Sequence, residues 1–300
     1  MTIGNPSRDD AGRPAGIGFM LMAAVCFSTG GLITRHVEAA DGWQVMFYRA
    51  VGMVATLTLV LLVKERGRVV APFKAIGWGG LAVAAVIAVS MVSYVFAMLL
   101  TSVANAQFVM SSAPFFAALL GLLVLREPVH RTTWLAIMVA IVGMGVMFAD
   151  GFAAGRPVGL FVALLAGSTY GLLVVMLRQL RALDMLPALI VAGLLAGAVS
   201  ALMAGDLAVS ANDMLAGLFM GVVQTATGFA CVMLATRRIP AAEAGLLLLA
   251  DTILGPIWVW LFVNEVPAPI ALVGGLIVLA AVLLQAIASV VWERRALGNA

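Results

Sequence analysis

The chain has 300 residues, 64% of them hydrophobic and only 10% charged, with a mean hydropathy of +1.14. A soluble domain of this length carries roughly 25% charged residues, so the bilayer is the solvent here. The net charge of +3 is too small and too evenly spread for a nucleic-acid partner, and Cys26 and Cys231, both inside apolar runs, fit neither a disulfide framework nor a metal site.

The polar start, residues 1–14, does not read as a signal peptide: the apolar run behind it lacks a small-residue cleavage site and is itself a helix candidate. Apolar segments of about 20 residues, the length that spans a hydrocarbon core, then follow in order. The first half supplies 16–33, 43–63, 76–100, 103–125 and 134–148. The second supplies 158–177, 186–204, 214–235, 241–263 and 270–292. Only Thr101 and Ser102 separate the third helix from the fourth, and only residues 237–240 the eighth from the ninth, so tight turns force antiparallel neighbours. The expected fold class is an all-α polytopic membrane protein. Its ten transmembrane helices form two inverted five-helix repeats (15–150 and 151–292) around a central cavity, with cytoplasmic tails at 1–14 and 293–300.

Basic residues set the expected orientation. Arg8, Arg13, Lys64, Arg66, Arg68, Lys74, Arg126, Arg131, Arg178, Arg181, Arg237, Arg238, Arg294 and Arg295 fall on one side, 14 of the 17 Lys and Arg; Arg35, Arg49 and Arg156 are the others. Cytoplasmic loops carry such an excess, which places both termini inside a bacterial inner membrane. Trp43, Trp78, Trp134 and Trp292 sit at predicted interfaces. Five is odd, so the second half enters the membrane upside down relative to the first.

A repeat supports that division. Stretches 101–128 and 239–266, 138 positions apart, each open on an Ala-x-Ala pair (Ala104 and Ala106; Ala242 and Ala244) and end on a glutamate, Glu127 or Glu265. Ser28 and Thr29 match Ser168 and Thr169 two residues off that register. Inverted repeats place a solute site near the midplane, where the halves meet.

Three patterns carry a family resemblance. They are Ser102-Val103-Ala104-Asn105-Ala106 with Pro114 and Leu125-Arg126-Glu127, then Pro240-Ala241-Ala242-Glu243-Ala244 with the run from Trp258 to Glu265, and Phe47-Tyr48-Arg49. Over residues 16–292 the chain resembles the ten-helix drug/metabolite transporter superfamily, specifically EamA-type exporters, and is most similar to the YddG-type aromatic amino-acid exporters. The resemblance implies a cavity lined by helices one, three, four, six, eight and nine, with five and ten at the periphery. One departure is that Asp251 is followed by Thr252, where the family often has an acidic-Pro pair; the proline comes later, as Pro256.

Asp251 lies 11 residues beyond Pro240, about 16 Å into the bilayer at 1.5 Å per residue. A carboxylate there binds a substrate ammonium or couples a proton; the structural alternative is a protonated Asp bonded to Thr252 or Gln224. Glu243, in the first turn of its helix, reads as dipole compensation, and Asn105 occupies the equivalent place. Glu127 and Glu265 read as helix-end anchors or as ion-pair partners of Arg126 or Arg131.

The expected substrate-binding stripes are Ser28 on helix one, Ser90, Ser93 and Tyr94 on helix three, and Gln107 and Ser111 on helix four. Ser168 on helix six, Gln224 and Thr227 on helix eight, and Leu247, Asp251 and Trp258 on helix nine complete them. Small hydroxyls singly mediate helix packing; together such stripes form one wet, mostly apolar cavity. Pro114 and Pro256 are expected helix breaks, exposing carbonyls where the chain lines that cavity. Gly143 and Gly145, with Gly274 and Gly275, permit close contact and leave a monomer or a homodimer open.

With Arg35 and Arg49 both read at outer helix ends, phosphate substrates are disfavoured, because they need cation clusters. A small amphiphilic solute such as a hydrophobic or aromatic amino acid fits better. The alternatives on the same fold are a multidrug exporter or a flippase of lipid-linked intermediates. No Gly-x-Ser-x-Gly or His-Glu-x-x-His motif speaks for an enzyme, and no cofactor or metal is expected.

Overall fold

The computed structural model describes residues 6–67, 70–126, 129, 131–153, 157–180 and 184–298. Among them there is no strand, and ten helices are long and apolar enough to cross a membrane. These are α1 (Gly12–Thr34), α2 (Gly42–Lys64), α3 (Gly77–Leu100), α4 (Val103–Leu125) and α5 (Arg131–Ala149), then α6 (Pro157–Gln179), α7 (Met185–Ala204), α8 (Ala211–Ala235), α9 (Glu243–Val263) and α10 (Pro269–Ala288). Outward faces are apolar: Leu135, Met138, Ile141 and Val142 on α5 and Val273, Leu276, Leu284 and Ile287 on α10 are exposed. A continuous apolar exterior of this kind is stable only against hydrocarbon.

The spans begin where side chains satisfy the orphan N–H groups of a first turn. Asp41 caps α2 in a capping box with Gln44, Ser102 caps α4, Asp184 caps α7 and Ser210 caps α8.

Polar contacts then sort the ends of the helices into two faces. At one, the Asp213 carboxylate at the start of α8 accepts from the backbone N–H groups of Glu38, Ala39 and Ala40, beyond the end of α1, at 2.8, 3.1 and 3.0 Å. At the same face Arg35 pairs with Glu265, joining the C-terminal ends of α1 and α9. At the other face Arg13 meets Glu243 at 3.1 Å and Lys64 meets Asp184 at 2.6 Å. Glu265 therefore pairs with Arg35, not with Arg126 or Arg131, which belong to the opposite face. Its counterpart Glu127, with Pro128, His130, Arg156, Arg68 and Arg181, lies outside the described residues.

Packing repeats between the halves. The pair α1–α8 is matched by α6–α3, α1–α9 by α6–α4, and α2–α8 by α7–α3, while α2–α7, α4–α9 and α5–α10 are each their own counterparts. The 138-residue offset reappears in the backbone. Ser102 and Pro240 are extended N-caps with ψ of 150° and 148°. Arg126 and Asn264, also 138 apart, close α4 and α9 in the left-handed conformation, both at φ 56°.

Both helices are also interrupted, at equivalent places. α4 consists of Val103–Met110 and Ala113–Leu120 with a turn at Ser111 and Ser112, and α9 of Ala241–Leu248 and Ala250–Val263 with a turn at Leu249. Pro114 sits just inside the second segment of α4, where its missing N–H leaves the preceding turn without a ladder bond. Pro256 is not a break: it lies inside the continuous helix Ala250–Val263, and the interruption falls seven residues earlier. Two glycines of α5 and α10 find a use within the chain. A Cβ on Gly143 would lie 2.7 Å from the Gly274 carbonyl, and one on Gly274 2.6 Å from that of Gly143, so this pair lets α5 pack closely on α10, while Gly145 faces open space.

Candidate functional site

The break at Leu249 decides where Asp251 stands. It puts the carboxylate in the first turn of Ala250–Val263, at the positive end of a half-helix deep in the span. An ionised carboxylate at mid-span costs about 2.5–3.5 kcal/mol on insertion scales. The helix start returns about 0.3–1 kcal/mol, and the hydroxyl of Thr252, donating at 3.1 Å, about 1.5–3 kcal/mol, the range for a hydrogen bond to a charged group. These local contacts offset most of the cost. Asp251 is half-buried and no basic side chain among the described residues pairs with it.

Two tyrosines stand near it. The hydroxyls of Tyr94 on α3 and Tyr170 on α6 both lie within electrostatic reach of Asp251. α3 and α6 pack on each other, and α9 packs on α1, α4 and α10.

Around this point the helices exchange polar contacts. Trp258 on α9 donates its indole N–H to Ser28 Oγ on α1 at 2.9 Å. Gln224 on α8 donates to the Phe27 carbonyl of α1 at 3.4 Å. Gly30 makes room between them: a Cβ there would collide with the Tyr94 hydroxyl and with Gln224 Nε2. Gln107 on α4 is 4% exposed and lies against Gly255, one turn beyond Asp251. The Tyr94 hydroxyl meets the Gln224 side chain, whereas the Gln107 amide nitrogen is buried without a hydrogen-bond partner. An unpaired polar atom in a membrane interior is costly, and this one adjoins the helix that carries Asp251.

Other expected site residues are placed differently. Ser111, Ser168 and Thr227 spend their hydroxyls on their own helices, on the carbonyls of Phe108, Leu165 and Val222. Ser90 reaches the Ala166 carbonyl of α6 at 3.5 Å, in the α3–α6 seam, and Ser93 is buried. Leu247 packs with Met20, Ala23 and Cys231 in the core shared by α1, α8 and α9 near the Glu243 face.

Arg49 overturns one expectation outright. It is not at an outer helix end but eight residues into α2, about 10 Å along the axis, and only 5% exposed. Its Nε donates to Thr225 Oγ1 at 3.1 Å, its Nη1 to the Met91 carbonyl at 3.3 Å, and its guanidinium lies over the Tyr94 ring, 5.0 Å from the centroid. The approach depends on glycine, since a Cβ on Gly221 would collide with the Arg49 carbonyl. It also depends on a widened turn. α8 runs as π-helix over Met220–Thr227, where the side-chain hydroxyls of Thr225 and Thr227 also donate to the carbonyls of Met220 and Val222, five residues back. The sequence did hold a signal for Arg49, a lone cation well inside an apolar run. Tyr170, adjoining Ser168 and Thr169, was passed over because it is a single aromatic on a polar stripe.

Known proteins give the same picture. The model of the EamA-like transporter family matches residues 14–149 and again 157–287. An uncharacterized transporter of Helicobacter pylori is 29% identical over 171 residues, 55% of this chain, and the chain spans 56% of that relative's length. A solved crystal structure superposes with a TM-score of 0.66 at 15% identity, over 91% of this chain and 97% of the other, which speaks for the fold alone. With two matches that between them cover nearly all ten spans, the chain belongs to the EamA-like transporter family.

Proposed function

We propose that the chain exports small amphiphilic solutes, hydrophobic or aromatic amino acids above all, across a bacterial cytoplasmic membrane by alternating access. The observation that carries this is Asp251. It is a carboxylate without a cationic partner among the described residues, at a half-helix start deep in the span and within electrostatic reach of two tyrosine hydroxyls, on the helix whose Trp258 bonds Ser28. Such a group suits a solute ammonium, and the aromatic and aliphatic surroundings suit an apolar side chain.

In this reading residues 15–150 and 151–292 are the two halves that rock about the site. The face carrying Arg13, Lys64, Arg126, Arg131 and Arg178 is cytoplasmic, with both termini on it. Expected in proteoliposomes is counterflow of phenylalanine or a similar amino acid; a pH gradient separates uniport from proton antiport. Movement of an amphiphile or a lipid with no counterflow of any amino acid overturns the reading.

A further inference from the structure

We propose that Arg49 is the carboxylate-recognising residue of the transport site. This rests on the transport reading above and names the half of the solute that Asp251 leaves unmatched. A guanidinium presents five N–H donors and stays charged. Inside α2 it meets a hydroxyl, a carbonyl, an aromatic face and, at 4.0 Å, the sulfur of Met46, but no carboxylate among the described residues. None of the described residues accepts from Nη2. A charge so deep in a membrane helix faces a partner or a solute path, and here the fixed partner is missing.

The neighbours point the same way. The Tyr94 ring lies under Arg49, and its hydroxyl meets the Gln224 side chain. Thr225, which holds Nε, adjoins Gln224, whose amide borders the same space at Gly30. A carboxylate entering beside Tyr94 supplies the acceptors that Arg49 lacks, in the bidentate geometry a guanidinium favours.

The test is binding to the detergent-solubilised full chain, read by thermal shift and by tryptophan fluorescence, with matched pairs. These are phenylalanine and its methyl ester, then 3-phenylpropionate and its methyl ester. Each acid is expected to bind at least tenfold more tightly than its ester. Arg49→Gln is expected to erase that difference, and Arg49→Lys to restore part of it. Esters binding as well as acids to the unsubstituted protein overturns the role of Arg49 while leaving amino-acid export standing; this comparison needs no variant to fold. Binding of phenylpropionate but not of phenylalanine supports Arg49 and overturns the amino-acid reading. Binding of none of the four, by a protein that still moves another amphiphile, overturns both.

Discussion

Arg35 and Glu265, 230 residues apart in sequence, close one end of the molecule. The guanidinium pairs with the Glu265 carboxylate and donates to the carbonyls of Met98 and Thr101, and the other Glu265 oxygen accepts from the Val103 N–H at 2.9 Å. One ion pair thus ties the ends of α1, α3 and α9 to the start of α4. Both side chains are about one-fifth exposed, so solvent screens them less than a surface pair. Glu265→Gln is expected to lower stability by roughly 2 kcal/mol, in the range for hydrogen bonds to charged groups. A double-mutant cycle with Arg35→Gln, read by thermal melting in detergent, should return a coupling above about 1 kcal/mol; additive effects would show the pair to be incidental.

Asp251→Asn removes the charge and keeps the shape and the contact with Thr252. Counterflow of phenylalanine is expected to fall at least tenfold in proteoliposomes while reconstitution is unaffected. Undiminished transport would take Asp251 out of the mechanism.

Two glycines should behave in opposite ways. At Gly30 an added methyl meets the far ends of Tyr94 and Gln224, which can swing aside; at Gly221 it meets the Arg49 carbonyl and the Met53 backbone nitrogen, which cannot. Gly221→Ala is expected to cost about 1–3 kcal/mol, the range for overpacking, seen as a fall in melting temperature. Gly30→Ala should melt close to the parent and yet raise the half-saturation constant for transport severalfold. Equal losses of stability would contradict this assignment.

Asp184 supplies a pH dependence away from the site. Partial burial pushes its carboxyl upward, but the Lys64 ammonium and the Leu186 N–H outweigh that and hold it below the usual carboxylate range. A carboxyl depressed on folding adds stability above its unfolded value, and that stability drains away as pH falls through the folded value. Melting temperature should therefore decline on acidification below the ordinary carboxylate range, and Asp184→Asn should flatten part of that decline. Both partners are more than one-third exposed, so the effect stays below about 1 kcal/mol.

The parts of this molecule legible in its sequence are those written in helix length and in the repeat. Span lengths follow from hydrophobic runs, and the offset that pairs Ala104 with Ala242 also pairs Arg126 with Asn264. Arg49, though a lone cation inside an apolar run, also stands six residues after Trp43 and so reads as part of an interface, whereas the packing of α2 on Gly217 and Gly221 sets it inside. The break at Leu249 has no proline or glycine beside it, whereas Pro256, the visible signal, is absorbed into a continuous helix. The π stretch Met220–Thr227 likewise has no local signature, since it is fixed by the helix crossing it.

The matching interruptions of α4 and α9 carry a mechanical consequence. Each helix has its joint nine residues past its N-cap, and the caps lie at opposite membrane surfaces. The two are therefore arms of equal length mounted head to tail, in contact through Val103–Met110 of one and Ala250–Val263 of the other. In the alternating-access reading proposed above, a swing of one that widens a passage at its own surface leaves the other, built to the same dimensions in reverse, to narrow the passage opposite.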